Sequence, residues 1–68
     1  MSKETVEFDK CEVIAETDDA ILVDIPEHGR EVWIPKSQID DASEIWEKGQ
    51  DEGTLVITEW IATQKGLV

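Results

Sequence analysis

The sequence predicts an all-β fold: a small, SH3-like, five-stranded antiparallel barrel or curled sheet with a short C-terminal helix. Three observations lead there. Short β-branched runs alternate apolar and polar residues with period two. Gly, Pro and Asp residues punctuate those runs, and no long helix is read, only a short one in the tail from Thr58 to Val68. A chain of 68 residues holds a single domain, spanning 1–68.

The segment Glu4 to Thr17 has no helical repeat. Val6 and Phe8 share one parity while Cys11, Val13 and Ala15 share the other. That switch predicts two short strands, or one strand bulged at Asp9-Lys10. Asp18-Asp19 makes a tight polar turn whose carboxylates can bond their own backbone. Ala20 to Ile25 is the clearest strand, with Ile21, Val23 and Ile25 facing one way and Asp24 the other. Pro26 ends it, and the turn through Arg30 contains Gly29, which can take a positive φ. Glu31 to Pro35 follows as a strand, Val32 and Ile34 inward and Trp33 outward.

Pro35 cannot continue a ladder, so a single 3₁₀-like turn is expected over Lys36 to Ile39, with Ile39 folding back onto the core. Asp40 to Ala42 reads as a connector. Ser43 to Lys48 alternates like a strand, with Ile45 and Trp46 on opposite faces. Gly49 to Gly53 reads as a hairpin loop, leading into a last strand from Thr54 to Ile57. Thr58 can cap a helix, Glu59 suits its first turn, and Gly66 sits where a left-handed residue would end it. Trp60, Ile61 and Leu67 are expected to pack that helix across an open end of the sheet.

Seventeen Asp and Glu against six Lys and Arg give a net charge of −11. Such a surface opposes unaided binding to phosphate backbones, which takes Lys and Arg to displace counterions. Mutual repulsion of the carboxylates also predicts a stability that rises with added salt. No apolar run approaches the roughly 18 residues of a membrane span, and the N-terminus does not read as a signal peptide. A cytoplasmic location is therefore expected. One Cys cannot staple the fold, and with one His it cannot build a zinc site.

Residues that could carry catalysis are few. Asp18-Asp19, Asp40-Asp41 and Asp51-Glu52 all fall in predicted loops, where Asp belongs for turn-forming reasons. General acid–base work needs a carboxyl in a desolvating pocket, and so small a barrel has little interior to offer. His28 sits in a hairpin turn without an orienting partner. Cys11 falls on the apolar parity and reads as a buried small hydrophobe, its thiolate disfavoured among so many anions. Asp51-Glu52-Gly53 is too short for a calcium loop. The reading is of a non-enzymatic protein without metal or cofactor.

Two features remain as candidates for binding. Trp33 and Trp46 sit opposite the core-facing residues of their strands, and an exposed Trp often marks an interaction anchor. Lys36, Ser37 and Gln38 follow Trp33 closely and would frame such a surface with hydrogen-bond donors. The second feature is the carboxylate sheath: Glu7, Glu12, Glu16, Asp24, Glu31, Glu44 and Glu47 should make the outward strand faces negative. The field would draw a basic partner. The partner-binding candidates are thus Trp33, Lys36, Gln38, Trp46, Glu31, Glu44, Glu47 and Asp24.

The layout of Trp33 to Ile39, a strand ending in Pro, then one polar turn, then an apolar residue, resembles the late part of SH3 domains. The elements W-I-P-K-S-Q-I (Trp33 to Ile39) and V-I-T-E-W-I-A-T-Q-K-G-L (Val56 to Leu67) together resemble a set of small, mostly uncharacterised proteins of phages, prophages and bacteria. That resemblance implies a phage or mobile-element context and no particular activity. In size and charge the chain is similar to acidic phage inhibitors of the anti-CRISPR or DNA-mimicking kind.

Three functional expectations follow. The first is an acidic interaction protein that occupies a basic surface on a nucleic-acid-handling or defence complex. The second is a barrel-type single-stranded nucleic-acid binder or recombination accessory protein that stacks bases on Trp33 and Trp46. The third is a homo-oligomeric structural subunit that buries the same two Trp, as in a homodimer.

Overall fold

The parity switch in the first segment is a bulge within one strand. In the computed structural model, which describes residues 4–68, β1 (Thr5–Glu16) runs unbroken through it. The register against β4 (Gly53–Thr58) slips between Phe8 and Cys11, where Lys10 takes a positive φ of 59°. Phe8, Cys11 and Val13 can therefore all face inward. A second slip, between Val13 and Ala15, interrupts the pairing with β2 (Ala20–Ile25). Bulges bend a strand and add twist. The two together let the first half of β1 pair with β4 and the second half with β2.

β2 turns through Pro26 to Gly29 into β3 (Arg30–Pro35), and Gly29 adopts φ 63°. Every pair in this hairpin is in register, from Ala20 opposite Pro35 to Ile25 opposite Arg30. The sheet order is β3-β2-β1-β4, antiparallel throughout. Its inner face carries Cys11, Val13, Ile21, Val23, Ile25, Ile34, Leu55 and Ile57, each at most 1% exposed. Pro35 ends β3 and the 3₁₀ turn Lys36–Gln38 follows, after which Ile39 returns to the core and forms an isolated bridge with Ile57.

Among the described residues the sheet has four strands, not five, and it does not close into a barrel. The expected strand over Ser43 to Lys48 is absent, although Ile45 is buried and Trp46 exposed as its alternation requires. The reason lies in how this segment meets the edge of β4. Asp40 N–H donates to Val56 O at 2.9 Å, and Glu44 N–H donates to Thr54 O at 2.9 Å. Where a strand would present carbonyls, side chains accept instead. Val56 N–H donates to Ser43 Oγ at 3.1 Å and Thr54 N–H to Glu44 Oε1 at 2.9 Å. The chain then crosses to β1: Val13 N–H donates to Gln50 O at 2.8 Å and Gly49 N–H to Val13 O at 3.2 Å. Gly49 to Glu52 thus belongs to a crossing segment rather than to a hairpin loop, and Gly53 already opens β4.

The short helix α1 (Glu59–Gln64) starts as its sequence predicts, the Thr58 hydroxyl accepting from Ile61 N–H at 3.3 Å. Ile61 and Ala62 are its buried residues, and Leu67 joins them beyond the left-handed Gly66. Trp60 does not pack inward as expected. It is 61% exposed, because a stripe centred on Ile61 and Ala62 turns the preceding residue toward solvent at about 100° per residue. Among the described residues no helix is long and apolar enough to cross a membrane.

Candidate interaction surfaces

Two surfaces gather the chemistry-bearing side chains. The first is a groove of about 520 Å³ between the end of β1, the 3₁₀ turn and the segment that covers β4. Trp46 and Ile39 supply its apolar wall. Glu16, Asp40, Asp41 and Glu47 supply carboxylates, and Lys36 is the one cation among the lining residues.

Local hydrogen bonds hold this groove in shape. Gln50 Oε1 accepts from Trp46 N–H at 2.6 Å and from Glu47 N–H at 2.9 Å, which bends the loop so that the indole is 52% exposed. Buried Ile45 anchors the same loop from below. Glu16 ties three elements together, taking Lys36 Nζ at 2.6 Å and Lys48 N–H at 3.2 Å on its two oxygens. The hydrogen bond from Lys36, then that from Lys48, holds its carboxyl below the ordinary value of 4.5. Lys36 is thereby occupied within the fold. The groove is left with an aromatic face and a surplus of negative charge, an environment suited to an amine or guanidinium.

The second surface is the outward face of β1, β2 and β3. Glu12, Asp24 and Glu31 stand directly opposite one another across the three strands. Beside them runs an apolar row of Ala15, Leu22 and Trp33, the first two half-buried and Trp33 42% exposed. Cross-strand neighbours have Cβ atoms about 5 Å apart, so the three carboxylates form a line of roughly 10 Å. Like charges in that arrangement oppose folding. The row is a cost of the fold that packing elsewhere must offset.

The sequence candidates therefore divide. Lys36, Trp46 and Glu47 meet in the groove, whereas Trp33, Asp24 and Glu31 lie on the sheet face. Gln38 and Glu44 are engaged inside the fold: Gln38 Oε1 accepts from the Thr58 hydroxyl at 2.7 Å, and Glu44 holds the β4 edge. Lys36 is likewise ion-paired rather than a free donor. The connector reading of Asp40 and Asp41, and the strand reading of Ser43, gave no hint of their place in the groove wall. The one signal was their nearness to the W-I-P-K-S-Q-I turn. Leu22 was hidden inside a run read only for its core parity.

The remaining chemical candidates are accounted for by packing. Cys11 is buried, its thiol donating to Phe8 O at 3.3 Å, and burial pushes its pKa up to about 11. His28 lies exposed in the β2–β3 turn with its ring edge-on to Phe8, centroids 5.4 Å apart. Among the described residues, no group of three His, Cys, Asp or Glu side chains is placed to hold a metal ion. Compared with family models, with curated proteins and with solved structures, the chain matches none.

Proposed function

We propose that this protein is a non-enzymatic interaction module whose acidic surface occupies a basic surface on a nucleic-acid-handling or defence complex. The observation that carries this reading is the groove at Trp46. An exposed indole stands among four carboxylates, and Lys36, the one cation among the described lining residues, is already paired with Glu16. A Lys or Arg side chain from a partner would meet the ring face and the carboxylates together, an arrangement worth about 0.5–2 kcal/mol for the aromatic contact. The net charge of −11 would steer such a partner over longer distances. In the same reading the gene belongs to a phage or mobile element, and the protein acts in the host cytoplasm. The open sheet is then a variant of the SH3-like barrel, the 39–44 segment standing where a fifth strand would.

Calorimetric titration of the whole chain with octalysine and octaarginine tests this directly. Affinity should fall steeply as salt is raised, and Trp46→Ala should weaken binding at low salt. An affinity unchanged between low and high salt would overturn the proposal. A mobility shift of single-stranded oligonucleotides at micromolar protein would favour base stacking on Trp33 and Trp46 instead. Light scattering that reports a dimer would favour the oligomeric subunit.

A further inference from the structure

The two edges of the sheet are treated differently, and the open one lies next to the sheet-face candidates. β3 is terminal in the order β3-β2-β1-β4, and no backbone partner on its outer side occurs among the described residues. Which of its groups face outward follows from hydrogen-bond parity. Lys36 N–H donates to Asp19 O at 2.8 Å, one step beyond the Ala20–Pro35 pair. Antiparallel ladders alternate hydrogen-bonded with non-hydrogen-bonded pairs. Ile34, Val32 and Arg30 therefore bond to β2, while Glu31 and Trp33 turn their N–H and C=O groups away from it. Pro35, with no N–H to offer, falls at a non-bonded position, as this parity requires.

Four backbone groups in a row, two donors and two acceptors, thus lie along an open edge. Their own side chains are a carboxylate and a half-exposed indole. Exposed edges of this kind pair with other extended chains unless they are blocked. We infer that the β3 edge is a strand-addition site for an extended, Lys- or Arg-bearing segment of the partner. It pairs with the backbone of Glu31 and Trp33, and sets its basic side chains against the Glu12–Asp24–Glu31 row.

Charge complementarity selects this occupant over a second copy of the chain. Self-pairing would bring together two chains of −11 and set two acidic rows side by side. The inference rests on the acidic-surface reading above and specifies how the partner's backbone is held.

The test uses the full chain and two peptides: blocked (Lys-Val)₃, and the same peptide N-methylated at every residue, which keeps the charge but removes every backbone donor. Amide exchange is followed by NMR at low ionic strength. The parent peptide should slow exchange at Glu31 and Trp33 by about tenfold, and the methylated peptide should not. Equal binding of both peptides without protection at Glu31 and Trp33 overturns strand addition and leaves the acidic-surface reading standing. Failure of both peptides to bind at any ionic strength overturns both. Protection at these two amides in the chain alone, with a doubled mass, assigns the edge to a second copy and overturns the basic occupant.

Discussion

The β4 and β3 edges of one sheet show two answers to the same physical problem. On β4, the amides and carbonyls of Thr54 and Val56 are all satisfied by Asp40, Ser43 and Glu44, two of the bonds being made by side chains. On β3, the corresponding groups of Glu31 and Trp33 face outward without a partner among the described residues. A covered edge cannot recruit another strand, and an uncovered one can. The difference separates the part of the sheet built to be stable from the part available for contact.

Breaking the cover should have the largest effect. Ile45 is 1% exposed and pins the cover to the core. Ile45→Ala should destabilise the protein by about 2–5 kcal/mol, read from denaturant unfolding. Exchange at the Thr54 and Val56 amides should accelerate ahead of that at Val32. A smaller break is Ser43→Ala, which strands the buried Val56 amide. The expected loss is about 1–3 kcal/mol. Unfolding curves that overlay the parent would show that solvent reaches this edge after all.

The sheet face offers the opposite test. Asp24 sits between Glu12 and Glu31 in the row of like charges. Asp24→Asn should stabilise the fold by about 0.2–1 kcal/mol while weakening octalysine binding. Stability and affinity moving in the same direction would separate the row from both roles.

The smallest effect concerns pH. Glu16 is held below 4.5 in the folded protein, chiefly by Lys36. A carboxyl lowered on folding contributes stability that is complete above its unfolded value and is lost as pH falls through the folded one. Acidification from about pH 6 to about pH 3 should therefore cost the parent slightly more than Glu16→Gln, a small difference for an exposed pair. The measurement is the shift in urea midpoint of each protein between the two pH values.

Much of the fold was legible because local rules agreed with it. The parity change from Phe8 to Cys11 marked an irregularity, either a break between two strands or a bulge, and the register resolves it as a bulge; Pro35 ended a strand, and Thr58 and Gly66 bounded the helix. Two elements depart from their local pattern, each for its own reason. Ser43 to Lys48 has the alternation of a strand, but alternation reports which side chains are buried and not which backbone atoms pair. Trp60 has an apolar side chain, yet α1 has only one narrow face against the sheet, and Ile61 with Ala62 fill it. For the candidate surfaces, exposure of Trp33 and Trp46 was readable from parity. Their assignment to two different surfaces, and the pairing of Lys36 with Glu16, depended on contacts between residues far apart in the chain.

By itself, then, the sequence determined a β-rich, strongly acidic chain with a defined inward set of apolar residues, since period and charge are local properties. Only the tertiary structure decided that β4 is sealed and β3 open, and that Glu12, Asp24 and Glu31 fall in one line. Register is set by bulges and turns acting together, and a slip of one residue in β1 would have moved its carboxylates to the other face.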